Sequence, residues 1–255
     1  MHKRVFGFVF LILGLALAVS PLLAQTAAPA KPPIYVYVST WAVPRAQWGD
    51  MEKLDNLDKP LLDKAIADGT IVGYGAYTNL IHQEGEPTHG SWFTATSEGN
   101  LLKTLETFYA HPGSTDATVQ GASKHWDQIL TGDLYNGKPG SSAGYLIWSK
   151  WVVKPGMMKA YADLTKKEVA PAMDKLVADG TVTSWGELTE DYHTDKLGTV
   201  YDYFTVPDTA ALDKLNKVFD DLFGANSALA PAYGQLTERE GHRDYLTHLR
   251  FMTSK

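Results

Sequence analysis

Two short patterns carry the residue types that move protons: His125-x-Asp127 and His242-x-Asp244. Residues two apart on a strand share a face, so each Asp can orient its imidazole as a general base. Solvated side chains at the start of a strand would give the same pattern. His82 and His193 form a second matched pair. Gln83, Glu84, Glu86 and His89 lie near the first, and Glu187, Glu190 and Asp191 near the second. Two imidazoles with carboxylate help suit Zn, Cu, Fe or Ni. No His-x-His or His-x-x-x-His spacing supports that use, so two loop imidazoles are the simpler reading and no metal is expected. The chain has no Cys, which excludes thiol nucleophiles, iron–sulfur clusters and Cys-ligated zinc. It has no Gly-x-Gly-x-x-Gly, phosphate loop or Gly-x-Ser-x-Gly elbow.

The matched pairs belong to a longer repeat. Residues 34–137 and 144–252 align at a spacing of 110 to 117. Trp41 answers Trp151 and Pro60 answers Pro171. Ala67-Asp68-Gly69-Thr70 answers Ala178-Asp179-Gly180-Thr181, and Trp92-Phe93-Thr94 answers Tyr203-Phe204-Thr205. A repeat of this length is one duplicated supersecondary unit.

Each copy reads βαββαβ. Ile34 to Trp41 is rich in β-branched and aromatic residues and predicts a strand. A helix follows over 45–67, with Pro60 expected to kink or divide it, and Gly69 suits its C-terminal cap. Residues 71–82 and 90–96 predict strands, 100–109 a helix and 125–134 a weaker strand. In the second copy, 145–151, 181–189, 199–206 and 242–252 predict strands. A helix reaches Ala178, and another follows Asp208 with Leu212, Leu215, Val218, Phe219 and Leu222 as its apolar stripe. Gly73-x-Gly75 within a strand suggests close packing or a bulge.

The first strand of each copy has two unlike faces. Tyr35, Tyr37, Ser39 and Trp41 share one, matched by Tyr145, Ile147, Ser149 and Trp151; Ile34, Val36 and Val38 share the other. The aliphatic face is expected to pack on helices. The aromatic face is expected to line the space between two sheets, where Tyr35, Tyr37, Trp41, Tyr145 and Trp151, with His82 and His193, would meet a small ligand. Aromatics filling a core are the alternative.

The N-terminus reads as an export leader. Met1-His2-Lys3-Arg4 precedes an apolar run from Val5 to Val19, and Pro21-Leu22-Leu23-Ala24 offers a cleavage site. The run is shorter than the roughly 20 residues that span a bilayer. The expected divisions are a signal peptide over 1–24, a disordered linker over 25–33, and repeats over 34–137 and 144–252. Loss of Lys3 and Arg4 with residues 1–24 takes the formal charge from −6 to −8. Such a surface disfavours nucleic acid and anionic lipid. The mature chain is expected to be periplasmic or secreted, without membrane attachment.

This order and duplication resemble the dimeric α/β-barrel superfamily of ferredoxin-like domains. Leu146-Ile147-Trp148-Ser149-Lys150-Trp151-Val152-Val153-Lys154-Pro155-Gly156-Met157-Met158, and then Asp179-Gly180-Thr181-Val182-Thr183-Ser184-Trp185-Gly186, resemble the NIPSNAP and antibiotic-biosynthesis-monooxygenase branches. The resemblance implies an α+β fold: two tandem ferredoxin-like units whose antiparallel sheets pack face to face as an α/β barrel within one chain. It leaves monomer or homodimer open. It implies either cofactor-free oxygenation of an aromatic substrate, with His125, His242, His82 or His193 as proton acceptor, or in some relatives haem, which needs an axial His facing the cavity. No cofactor is expected from the residues themselves. The leading expectation is an exported small-ligand protein, with a monooxygenase-like enzyme and a non-catalytic interaction or glycan-binding protein as alternatives.

Intact-mass measurement of the chain recovered from an export-competent bacterial host should give a polypeptide beginning at Gln25. Recovery of the Met1 form in the membrane fraction would contradict the leader assignment.

Overall fold

Ile34 to Ala42 forms strand β1, and its counterpart β5 spans Gly140–Val152. Around them the computed structural model describes residues 31–111 and 116–255; the leader and most of the linker lie outside the described residues. The remaining strands are β2 (Gly73–Asn79), β3 (His89–Ala95), β4 (Lys124–Gly137), β6 (Ser184–Glu190), β7 (Thr199–Val206) and β8 (Arg243–Ser254). The helices are α1 (Trp48–Ala67), α2 (Glu98–Tyr109), α3 (Ala117–Gln120), α4 (Met158–Leu164), α5 (Ala170–Asp179), α6 (Thr209–Phe223) and α7 (Leu229–Leu236).

The eight antiparallel strands close into a barrel in the order β1-β3-β2-β8-β5-β7-β6-β4. Each repeat supplies four adjacent strands. The seams are β2 on β8 and β4 on β6, so each repeat's last strand also pairs with the other repeat. Closure removes every exposed sheet edge, and no second copy is needed to complete the barrel. In this order β2 stands diametrically opposite β6, and β4 opposite β8.

The sheet has two buried faces, and they are used in the opposite sense to that expected from β1. Ile34 and Val36 pack inside the barrel with Leu130, Leu188 and Tyr201. Tyr37 packs outward with Leu62, Tyr74, Phe93 and Leu101 beneath the first repeat's helices. In the second repeat, Val153, Met173, Trp185, Phe204 and Leu215 fill the helix-facing layer, with Tyr145 and Ile147 packed against them. Period-two alternation separates two faces; with both buried it does not say which of them meets helices.

The helix ends follow their local chemistry. Ser97 accepts from the Asn100 amide and Asp208 from the Ala211 amide, each satisfying an otherwise unpaired first-turn donor. Gly180, at φ 83°, closes α5. Pro60 lies inside a single 20-residue α1 instead of dividing it. Pro60 and Asn56, whose carbonyl it leaves unpaired, are both exposed, so water can take that carbonyl. In the second repeat a π turn over Thr165–Val169 joins α4 to α5, with Pro171 in the first turn of α5. Helix α7, which packs Leu229, Tyr233 and Leu236 on the core, was not anticipated from the sequence.

The interior depends on glycine. Gly75 pairs across strands with Trp92, Gly90 with Tyr77, and Gly186 with Tyr203. In each case the aromatic ring occupies the space a Cβ on the glycine would take. A Cβ on Gly75 would also meet the Phe251 carbonyl at 2.8 Å.

Gly75→Ala should therefore destabilise the protein by about 1–3 kcal/mol through overpacking, measured by urea unfolding. Gly99→Ala, in a helix with nothing near its Cβ position, should not destabilise it. Equal behaviour of the two variants would contradict the ring-over-glycine packing.

Candidate functional site

The inward side chains leave a cavity of about 650 Å³ along the barrel. Its middle is lined by Val36, Val38, Tyr77, Trp92, Trp148 and Tyr203. This composition, apolar and aromatic with few polar groups, is that of a small-molecule pocket. Trp148 stacks on Tyr245 at 3.7 Å between ring centres. The hydroxyls of Tyr77 and Tyr203 have no hydrogen-bond partner among the described residues. Burial pushes both phenols well above their ordinary pKa, so they remain neutral donors near pH 7.

Polar groups gather at one rim. Gln128 Nε2 donates to the Tyr201 hydroxyl at 2.5 Å and to Glu190 Oε1 at 3.2 Å. The other Glu190 oxygen accepts the backbone amides of Thr194 and Asp195, both at 3.2 Å. Lys150 pairs with Asp195, and the Tyr245 hydroxyl donates to Glu86 at 3.1 Å. The cavity's middle carries no charge; its two ends also carry Lys124 and, opposite, Lys31, Lys138 and Lys255, bonded to carbonyl or amide oxygens.

The residues singled out from the sequence lie elsewhere. Tyr35, Tyr37, Trp41, Tyr145 and Trp151 are absent from the cavity lining and face the helix layers. Their expected place between the sheets is corrected by the inverted use of the two faces. His82 sits in the loop after β2, edge-on to Trp48 at 5.0 Å, beside a smaller surface pocket. His193 is exposed in the loop after β6. Because β2 and β6 are opposite each other, these two imidazoles cannot share an ion. Among the described residues no group of three or more His, Asp or Glu is arranged to hold a metal.

The His–Asp pairs do come together, and each gains a serine. Ser39 Oγ lies 2.7 Å from His125 Nε2 and donates to Asp127 Oδ1 at 2.7 Å; the Tyr37 hydroxyl donates to the same oxygen at 2.6 Å. His125 Nε2 is itself 3.0 Å from Asp127. In the second repeat Ser149 donates to Asp244 at 2.6 Å, and His242 Nε2 lies 3.0 Å from Asp244. Trp41 and Trp151 stack on His125 and His242. This is not a nucleophile triad, in which the imidazole meets hydroxyl and carboxylate through different nitrogens. Here one nitrogen of His125 meets both, and each serine gives its proton directly to carboxylate.

His242 also donates Nδ1–H to the Lys150 carbonyl at 3.1 Å. Acceptors at both nitrogens favour the protonated ring. The Asp244 hydrogen bond, against a smaller opposing effect of burial, raises its pKa above the ordinary 6.5. Burial pushes the Asp127 carboxyl up, but hydrogen bonds from His125, Tyr37 and Ser39 outweigh it and hold the group low. Both pairs read as locks on strand ends more than as free bases.

His89, grouped in the sequence with the polar residues near His82, belongs to no site with it. It is fully buried on the helix side of β3. Thr88 Oγ1 uses its proton on the Trp41 carbonyl, so His89 Nδ1 donates to Thr88 at 3.0 Å. Burial alone lowers its pKa to about 4. Tyr77 and Tyr203 were missed as cavity residues. Their signal is a cross-strand glycine, legible only once the register is known.

No family model matches the chain, and no curated protein matches it in sequence. Solved structures match its fold. A proposed monooxygenase from Lactobacillus acidophilus aligns with TM-score 0.59 at 13% identity, covering 88% of this chain and 97% of that one. An anthrone oxidase-like protein aligns with TM-score 0.54 at 11%, covering 88% and 94%. A haem-binding protein from Thermus thermophilus aligns with TM-score 0.52 at 14%, covering 85% and 90%. At these identities the likeness is one of fold: a duplicated ferredoxin-like unit closed as an α+β barrel.

The last neighbour makes haem a group to test against this chain's residues, and they do not fit it. No His lines the barrel cavity. On the helix-facing side of the second repeat, both nitrogens of His242 are engaged, by Asp244 and the Lys150 carbonyl, and His248 is exposed beside Tyr145.

In an NMR titration His242 should show a midpoint above 6.5, and Asp244→Asn should lower it. Because the folded value is raised, the pair's stabilisation is complete below about pH 6.5 and fades as pH rises through the folded midpoint. A midpoint unchanged in the variant would remove Asp244 as the cause.

Proposed function

We propose that this chain binds a small, flat, largely apolar molecule inside the barrel, with Tyr77 and Tyr203 donating to a carbonyl or hydroxyl oxygen on it. The carrying observation is the pair of unpartnered hydroxyls in a cavity otherwise walled by Trp, Tyr and aliphatic groups. Facing an open cavity without a protein partner, the two hydroxyls can donate to a ligand oxygen in place of water. Trp92 and Trp148 supply flat surfaces for an aromatic ring. A volume of about 650 Å³ lies within the range of ligand pockets, roughly 300–1,000 Å³.

The same reading has the mature chain working outside the cytoplasm, on the strength of the leader pattern in residues 1–24. The first-strand aromatics do not form an open surface patch; they pack beneath helices. That placement removes the main support for a glycan-binding surface. A cofactor-free oxygenase is a second reading, favoured by Glu190, buried behind the lining residues Gln128 and Tyr201 and bonded to both. The fold neighbours named as a proposed monooxygenase and an anthrone oxidase-like protein agree with it. In that reading Glu190 would accept a substrate proton. It already accepts hydrogen bonds on both oxygens, so binding is the primary conclusion.

Titration with 9-anthrone, a flat ketone, should quench the tryptophan emission with saturation. The double variant Tyr77→Phe, Tyr203→Phe should bind about tenfold more weakly, the loss of one to two net hydrogen bonds. Equal affinity in the double variant would contradict the assignment. Oxygen uptake in the same mixture that Glu190→Gln abolishes would establish the oxygenase reading; none would leave binding alone.

A further inference from the structure

One part of the barrel wall is not copied between the repeats. Gln128 on β4 pairs with Val38 on β1, and both line the cavity. Its side chain is bonded across the seam to Tyr201 on β7 and Glu190 on β6. By the repeat spacing, the equivalent positions at the other seam are Tyr245, Gly90 and Asn79. Gly90 has no side chain to bond, and Tyr245 stacks on Trp148. The barrel therefore has an aromatic wall at β8 and, opposite it at β4, an amide.

That amide is held in one orientation. Its nitrogen donates both to the Tyr201 hydroxyl at 2.5 Å and to Glu190 Oε1 at 3.2 Å. Tyr201 gives its own proton to the same carboxylate oxygen at 3.4 Å, so a lone pair is what it offers Gln128. Glu190 is buried. Its hydrogen-bond neighbours among the described residues are Gln128, Tyr201 and the Thr194 and Asp195 amides, and all of them donate. A flipped amide would set Gln128 Oε1 against a carboxylate oxygen, two acceptors face to face in a poorly solvated place. Oε1 is therefore the free end of the side chain. It has no partner among the described residues, and the side chain is half-buried at the cavity wall.

The cavity thus presents two kinds of polar group. Tyr77 and Tyr203 offer hydroxyl donors at its middle, and Gln128 offers a fixed acceptor toward one rim. Tyr201 and Tyr203 share the inner face of β7, two positions and roughly 7 Å apart along the strand. Because Gln128 is bonded to Tyr201, the acceptor and the donors lie about one side-chain layer apart. A fixed acceptor discriminates between ligands. An N–H or O–H satisfies it, whereas an apolar group in the same place strips it of water and returns nothing.

We propose that Gln128 is a specificity-determining residue of the barrel site, its Oε1 accepting from an N–H or O–H group on the ligand. Glu190 is then a positioning residue that holds the amide in its accepting orientation. The proposal rests on the barrel-ligand reading and narrows the class of molecule. The ligand carries a hydrogen-bond donor, a hydroxyl or amino group, on a different edge of its ring from the oxygen that Tyr77 and Tyr203 bind.

The probes are 2-hydroxyfluorenone and 2-methylfluorenone, two flat ketones of nearly equal size, compared by equilibrium dialysis. The wild-type chain should bind the hydroxyl compound about tenfold more tightly. Gln128→Met, which keeps the length and loses the acceptor, should lose that preference while still binding the methyl compound. Glu190→Gln, which lets the amide turn over, should reduce the preference and leave the affinity for the methyl compound unchanged, a split that damage to the fold would not give. Thermal melts report the folding of each variant; if Gln128→Met does not fold, the ratio measured in Glu190→Gln decides. Equal binding of the two ketones by the wild type, or a full preference surviving in the folded variant, would overturn this inference and leave the barrel site standing. Binding of neither ketone would overturn both.

Discussion

The structure depends on one arrangement: aromatic rings laid over cross-strand glycines inside a closed barrel. Eight strands leave an interior that ordinary side chains fill. Where Gly75, Gly90 and Gly186 withdraw their side chains, the rings of Trp92, Tyr77 and Tyr203 lie against the wall. The centre is left open as the cavity. Gly75 and Trp92 in the first repeat correspond to Gly186 and Tyr203 in the second, so duplication placed the device twice. The twofold pattern explains why the cavity runs along the barrel and does not sit in either repeat.

Closure also settles what the matched histidines can do. Equivalent positions of the two repeats fall on opposite sides of the barrel, so only inward-facing duplicated residues such as Trp92 and Tyr203 meet, and the outward-facing histidines do not. His125 and His242 each work locally, tying a strand to its neighbour through a carboxylate and a serine. What the repeats share is therefore architecture. What distinguishes them is local: the buried His89 in the first, and Asp202 and Glu187 beside Tyr161 and Tyr233 in the second.

Much of this was legible in the sequence. The repeat spacing gave the βαββαβ order, and glycine and Asp placed the helix ends at Gly180 and Asp208. Gly73-x-Gly75 was read as a place of close packing, and Gly75 is one. The His–Asp pairs were found, although their serine partners come from a different strand and their bonding excludes a relay. The face of β1 was read the wrong way round, because aliphatic and aromatic residues bury equally well inside a barrel and beneath a helix. The cavity residues Tyr77 and Tyr203 stayed hidden because their signal lies across strands. The alignment of Asp244, Ser149, Asp202 and Glu187 across β8, β5, β7 and β6 draws on residues between 149 and 244 and exists only in the register of the folded sheet.

The central claim, that the barrel interior is a ligand site, is tested most directly by a crystal structure of the mature chain grown with 9-anthrone. The account predicts density for a flat molecule between Trp92 and Trp148, with its oxygen within hydrogen-bond distance of the Tyr77 or Tyr203 hydroxyl. A barrel holding only water, with the ketone bound elsewhere or not at all, would contradict it.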